Sequence, residues 1–494
     1  NFTLAVHRVM EKFVLPKNMP LLELKHAKGF ACRTFDEIRK TPFLDFLPDV
    51  GDKRRSPVTQ KLILDDLFEF QNYTSRPICN TNFTLAVHRV MEKFVLPKKV
   101  KMIHLNDIFQ EDLEIWSRSP GLPWKELGYK TKNDIRKDPD AVKKVRFFWH
   151  KVKTGFDIRF PDSCAYVRSH ICDVDETKVR AVWGYPATVT FAEAMFALPL
   201  IRGYQAYGSP IAYGFEPALG GFRKLYNRFN KEGIKYGYDF QKFDKTVPAW
   251  LIDIAFDILA LNIDFVNYKD HGVAQARAMI HVFDRLRNYF VNTPIRLASG
   301  RRFRKNSGIA SGSYFTQLIG SICNAIILEY VVITLTGEYI EDYLVMGDDS
   351  LIRSRHDLNI YKVAEIIGTV FGMHLNFSKC SKDTDINKIK FLGYQINNGF
   401  PVKETADWMA SLLYPERPDK TIEDVQNRAL GLYYACMWGD SYFANLTLTI
   451  IRLRPFDVAL PRNMERVLKL MGFSDLKASP PSALEFWRVL MNGR

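Results

Sequence analysis

Cysteine is scarce and unpatterned in this chain: seven residues in 494, at positions 32, 79, 164, 172, 323, 380 and 436, with no Cys-x-x-Cys spacing. An odd, scattered set argues against a disulfide framework and for reduced thiols in an intracellular setting. Cys164, His170 and Cys172 lie near one another in sequence. Without a second ligand pair they do not have the spacing of a zinc site. No secretory signal is apparent at the amino terminus. Long apolar runs are also missing. The most apolar stretch, 325–335, is interrupted by Glu329 and is too short to span a bilayer, so a buried helix is expected there and no membrane insertion. The Gly-x-Ser-x-Gly spacing is not met around Ser311, which disfavours a hydrolase nucleophile elbow.

What is present is positive charge. Lys and Arg total 69 against 55 Asp and Glu, a net charge of +14, enough to attract a polyanion and make its binding salt-dependent. Aromatic residues make up 13% of the chain and offer base-stacking surfaces, although most belong to ordinary core packing. A chain of 494 residues exceeds one compact core, so several subdomains are expected. Residues 1–17, NFTLAVHRVMEKFVLPK, recur unchanged at 82–98. Structural repeats diverge while keeping their apolar pattern, so identity over this length reads as a recent duplication or an artefact of cloning or record. Residues 1–18 are set aside as a leader, with Met19 as the expected native start.

Three segments carry the chemistry. GDDS at 347–350 lies between apolar runs and reads as strand, tight turn, strand, with Gly347 freeing the backbone to turn and lifting Asp348 and Asp349 to the tip. Such a turn alone is ordinary loop chemistry. DFQKFD at 239–244 places Asp239 at the end of a short aromatic strand, with Asp244 five residues on and a helical stretch at 250–261. By itself this pair reads equally as a strand end and a helix cap. Together, two acidic turns match a centre that holds two divalent cations about 3.5–4 Å apart for phosphodiester synthesis. Magnesium takes carboxylate oxygens and completes its octahedron with substrate phosphates, so two converging aspartates suffice. Between them SGIASGS, 307–313, is a small-residue loop that brings backbone close to a ligand or simply precedes a buried helix.

In their order these residues resemble the viral RNA-dependent RNA polymerases, and among them the replicases of partitiviruses, with picobirnaviruses as neighbours. SPGLPW at 119–124 resembles the template-guiding motif G, and KVRAVWGYP at 178–186 the basic motif F. DFQKFD is similar to motif A, SGIASGSYFT to motif B, VMGDDS to motif C, LNFSKC at 375–380 to motif D and FLGYQI at 391–396 to motif E. The resemblance implies that Asp239 and Asp348 bind metal, supported by Asp349, with two magnesium ions and manganese as a substitute. It implies that Lys178 and Arg180, with Arg168, clamp the triphosphate, and that Lys379 is the general acid for pyrophosphate. Asp244 would sense the ribose 2′-hydroxyl, joined by Ser311, Gly312 and Thr316. Ser119, Pro120 and Gly121 would guide the template. One departure stands out: nine residues after Ser311, where many relatives carry the ribose-sensing asparagine, this chain has Gly320, and the nearest asparagine downstream is Asn324. One helical turn further on, Asn324 either shares that role or is a buried amide bonded within the core. The basic residues have solvated-face alternatives of their own, as does the run Arg301, Arg302, Arg304 and Lys305.

The fold implied is α+β, a closed right hand whose amino-terminal region bridges fingers and thumb. Fingers are expected over 19–205 and 262–310, palm over 206–261 and 311–403, and a mostly helical thumb over 404–494. The palm should hold an antiparallel sheet backed by two helices. The function implied is RNA-directed RNA synthesis from nucleoside triphosphates on an RNA template, as transcriptase and replicase inside the particle of a double-stranded RNA virus in the host cytoplasm, with capsid protein as partner. A reverse transcriptase or DNA polymerase is the enzymatic rival, disfavoured by Asp244 where a bulky steric gate is expected. A non-catalytic RNA-binding or capsid-associated protein explains the charge but not two acidic turns.

Overall fold

The strand Ile234–Tyr238 has Tyr236 and Tyr238 on one face, their rings stacked 5.8 Å apart, and the period-two spacing of a buried strand. It is central in a four-stranded antiparallel sheet, flanked on one side by Asp349–Ser354 and then Asp342–Met346, and on the other by Ser381–Asp383. The computed structural model describes residues 53–492 apart from 72–74, 271, 417–418, 454, 460–461 and 474–479. The leader 1–18, with the first copy of the repeat, lies outside the described residues.

Two helices back this sheet. Thr316–Thr336 is apolar on every side, as a helix buried all round must be, and meets Ala249–Leu261 where the Cys323 thiol lies 3.7 Å from the Leu251 carbonyl. The expectation of a stretch too short to cross a bilayer needs correcting. The helix has 21 residues with a window of mean hydropathy 2.0, long and apolar enough by composition, but 89% of that window is buried inside the protein. It is the central core helix. The second copy of the repeat forms Thr81–Phe94, capped by Asn80 and burying Phe83, Ala86, Val90 and Phe94 at helical spacing. Phe83 packs edge-on against Tyr330 and Trp250, placing this helix on the same core.

A second four-stranded sheet runs Arg302–Arg304, Pro294–Arg296, Ser163–Ser169, Val179–Gly184. The carboxy-terminal helices Thr405–Leu413, Ile422–Cys436, Ser441–Ile451, Arg462–Leu470 and Ala483–Asn492 enclose a separate core around Trp408, Tyr433, Phe443 and Phe486. The short strand Lys53–Arg55 joins these two regions. It pairs with Ile171–Asp173, Lys53 forms an ion pair with Asp407, and Arg55 donates to the carbonyls of Ser169 (2.7 Å) and Tyr414 (2.9 Å). Cys79, Cys164, Cys172, Cys323, Cys380 and Cys436 are free thiols.

Candidate active site

The two acidic turns meet because their strands are neighbours. Ser350 pairs with Tyr238, so one further step in register sets Asp349 beside Asp239 at the end of the sheet. Gly347 makes the hairpin possible. Its φ is +66°, and a Cβ there would come 2.7 Å from the Gln317 side-chain oxygen. Asp348 is exposed at the tip, whereas Asp349 and Asp239 are half-buried. Burial, then Asp348 and Asp239, push the Asp349 carboxyl up to about 7. Burial also raises Asp239, with Lys379 and Lys178 pulling it down and Asp348 pushing it up. The Cys380 thiol sits against the Asp239 backbone, 3.4 Å from its N–H, and the Asn376 N–H donates to the Asp239 carbonyl at 2.8 Å. Motif D therefore packs directly on motif A.

Three mutually repelling carboxylates stand at the end of the sheet. Among the described residues no group of three or more potential ligands closes into a cage. That arrangement suits magnesium, which takes one or two protein carboxylates and completes its shell with water and phosphate oxygens. Asp239 and Asp348 would hold it, with Asp349 behind.

Cations border the carboxylates. Arg180 lies on Val179–Gly184 directly opposite Arg168 on the neighbouring strand, and Lys178 precedes the same strand. Burial, Lys379 and Arg180 hold Lys178 below the usual lysine range, while Asp239 raises it. Lys379 thus acts on both Asp239 and Lys178, which puts this exposed residue at the site. The Arg168 guanidinium is 3.9 Å from Glu416 of the carboxy-terminal region.

Motif B closes the other side. The N–H of Ile309 donates to the Asp244 carbonyl at 2.6 Å, and that of Gly308 to the Val247 carbonyl at 2.8 Å. Burial raises the Asp244 carboxyl against the pull of Lys245 and Arg180, and among the described residues its oxygens accept no side-chain hydrogen bond. Ser311 accepts from the Trp183 N–H at 3.4 Å. Gly312 has φ +104° and lies so close to the Trp183 carbonyl that a Cβ would come within 2.2 Å. The Thr316 hydroxyl donates to the Ala310 carbonyl at 2.9 Å, tying the loop to the helix it starts.

Asn324 is placed elsewhere than among the nucleotide-binding residues. It is fully buried, and its amide donates to the carbonyls of Gly347 (3.0 Å) and Asp348 (3.1 Å). Its N–H groups are spent on the acidic turn, so it supports the hairpin, while its Oδ1 has no partner among the described residues. Gly320 is where the helix passes that turn, and a Cβ there would stand 3.3 Å from Gly347 Cα. The small residue lets helix and hairpin touch.

Three contributors escaped the sequence reading. Buried Glu193 accepts from the Ser313 hydroxyl at 2.7 Å and the Tyr314 N–H at 3.0 Å, holding the motif B loop. A lone acid in the apolar run 187–201 was its signal. Lys132, also buried, donates to the Ser119 carbonyl at 2.6 Å. Asp66 accepts from the Ala181 N–H at 2.8 Å and pairs with Lys245, joining motif F to motif A. Motif G sits against the end of motif F: the Ala187 N–H donates to the Pro120 carbonyl at 2.7 Å, Ser119 and Tyr166 hydroxyls are 2.6 Å apart, and a Cβ on Gly121 would be 2.6 Å from the Tyr185 carbonyl.

Comparison with known proteins agrees with this geometry. The family described as viral RNA-dependent RNA polymerase matches residues 53–453. The RNA-directed RNA polymerase of Atkinsonella hypoxylon virus (isolate 2H) is 28% identical over 324 residues, covering 56% of this chain and 48% of its own length. That of Cryptosporidium parvum virus 1 (strain KSU-1) is 29% identical over 222 residues, covering 43% of this chain and 38% of its own. The matched region thus spans about half or less of these relatives. Among solved structures, the Sicinivirus 3Dpol RNA dependent RNA polymerase has a TM-score of 0.64 over 87% of this chain and 94% of its own at 14% identity, a likeness of fold. The mixed α and β right-hand architecture expected from the sequence is the one observed. Since the family match runs through the basic strand, both acidic turns and the small-residue loop between them, the chain belongs to the viral RNA-dependent RNA polymerases.

Proposed function

We propose that this chain copies RNA from nucleoside triphosphates as the transcriptase and replicase of a double-stranded RNA virus. The observation that carries this reading is the meeting of Asp239, Asp348 and Asp349 at one end of the central sheet, with Lys178, Arg180 and Lys379 around them. The sheet and its two helices serve as palm (206–261 and 311–403), residues 53–205 and 262–310 as fingers, and 404–492 as thumb; residues 19–52 of the expected fingers lie outside the described residues. The working place is the virion interior in the host cytoplasm, bound to capsid protein.

Two magnesium ions, or manganese in their place, would activate the 3′-hydroxyl and steady the leaving pyrophosphate when held by Asp239 and Asp348. Lys178 and Arg180 attract the triphosphate and offset the charge that builds on it during transfer. Burial, and then the neighbouring cations, hold Lys178 below its ordinary range, and an arriving phosphate favours its charged form. Lys379, whose charge acts on both Asp239 and Lys178, donates a proton to the departing pyrophosphate. Asp244, with open carboxylate oxygens beside Arg180, accepts from the ribose 2′-hydroxyl, which deoxyribose lacks. Ser311, Gly312 and Thr316 shape the loop beneath that ribose, and Ser119, Pro120 and Gly121 steer the template.

Incorporation of labelled ribonucleotides and deoxyribonucleotides on an RNA template with magnesium tests this, comparing the parent with Asp348→Asn. Ribonucleotide-selective product that disappears in the variant, with RNA binding retained, is the expected result. Synthesis by Asp348→Asn would place the metal elsewhere. Preference for deoxyribonucleotides would instead make the chain a reverse transcriptase, and tight RNA binding without product a binding protein.

A further inference from the structure

The helix Pro139–Lys153 begins at an Asp138 cap and buries Ala141, Val145, Trp149 and Val152. The opposite side holds Lys143, Arg146, His150 and Lys153, spaced i, i+3, i+7 and i+10, which places them along one face. That face opens on a cavity of about 600 Å³ whose floor includes Met195 and Val282 and whose far wall carries His104. Among the described residues no carboxylate lines it. Lys143 and Arg146 are exposed and make no ion pair among the described residues, whereas Arg285 is paired with Asp157 and Arg302 with Asp162. Lys153 donates to the Tyr268 hydroxyl at 3.3 Å. Phe147 stands at the cavity with 57% of its surface exposed.

Unpaired like charges along a concave wall repel one another, and a polyanion relieves that repulsion. The stripe from Lys143 to Lys153 covers about 15 Å at the helical rise, so the anion it fits is extended. A cationic track beside an exposed aromatic ring is the pattern that holds single-stranded nucleic acid, phosphates on the cations and a base on the ring. The cavity also has a mechanical link to the template-guiding loop. The Trp149 indole donates to the Thr188 carbonyl at 2.8 Å, and the Trp124 indole of that loop to the Thr188 hydroxyl at 2.9 Å. We propose that the cavity along Lys143, Arg146, His150 and Lys153 is an RNA-binding site on the outside of the fingers, engaging a single-stranded segment before or after it passes the catalytic groove. The inference rests on the polymerase reading for the identity of its polyanion.

The test is fluorescence-anisotropy titration of the full chain with a labelled single-stranded RNA of about 12 nucleotides, within the usual site-size range. The salt series runs over about 50–200 mM. Lys143→Glu with Arg146→Glu is compared with Lys362→Glu with Lys388→Glu, two exposed lysines away from the cavity whose reversal removes the same charge. Weaker binding by the first pair alone is expected, with a log–log salt slope shallower by about 1.4, two contacts at about 0.7 each. RNA carrying photoactivatable uridines should crosslink to the 143–153 peptide in the parent and not in the first variant. Parent-like binding, equal weakening by both pairs, or displacement by polyglutamate as readily as by unlabelled RNA would each overturn the site. A matched melting temperature shows that the exposed substitutions leave the fold intact. If the pattern holds while the parent adds no ribonucleotide, the polymerase reading fails and the site stands. If ribonucleotides are added without the pattern, the site alone fails.

Discussion

At the scale of single residues, the aspartates were legible because their chemistry is local. A glycine turn between apolar runs and an aromatic strand ending in aspartate announce themselves within ten residues of sequence, and the register then brings Asp239 beside Asp349. Asn324 was not legible in the same way. Helical spacing tells which side of Thr316–Thr336 it occupies but not what that side meets, and it meets the carbonyls of the acidic turn. Asn324→Ala should therefore cost about 1–3 kcal/mol of stability, the penalty for leaving buried carbonyls unpaired, and slow synthesis without altering the choice between ribose and deoxyribose. Denaturant unfolding beside the ribonucleotide to deoxyribonucleotide ratio separates the roles. A lost preference at unchanged stability would return Asn324 to the ribose.

At the scale of elements, strands and helices followed from apolar period and turn residues, but the ties between them did not. Glu193 and Ser313 are 120 residues apart, and no local pattern says that a lone acid in an apolar helix will hold a distant loop. Burial pushes Glu193 up to about 8, against the pull of Ser313, Tyr314 and Lys132, and brings Lys132 down to about 8. The folded state thus keeps a proton on Glu193 that the unfolded chain releases near 4.5. The stabilisation this proton provides is whole below about 4.5 and is lost as pH rises through about 8. Glu193→Gln, which presents an oxygen to the Tyr314 N–H and cannot titrate, should flatten the fall in melting temperature across that interval. Glu193→Ala should lose about 1–3 kcal/mol and displace the loop. An unchanged pH slope in the glutamine variant would mean that Glu193 is ionised in the native protein.

At the scale of the whole molecule, a main hydrophobic core and a separate carboxy-terminal helical one, two of the three clusters among the described residues, were foreseeable from length and apolar spacing. The strand that ties them was not, because Lys53–Arg55 is three residues of charge with no strand signature. Its partners are Ile171–Asp173, Asp407 and the Tyr414 carbonyl. Arg55→Ala removes charged hydrogen bonds of about 1.5–3 kcal/mol, so RNA should leave the enzyme several-fold faster and the carboxy-terminal helices should exchange amide hydrogens sooner. Unaltered RNA dissociation would show that this strand does not hold the hand closed. The central sheet has a further consequence, in time rather than in space. Asp239 leaves the ribosome before its partner strands, and its strand must wait for Asp349–Ser354 and then for Ser381–Asp383 before the sheet is complete. At about 5–20 residues per second, the roughly 150 residues between take about 8–30 s to be made. A nascent chain that has not yet made Ser381–Asp383 therefore carries Asp239 on an unfinished sheet, and the order of the strands sets when its acidic turns can first meet.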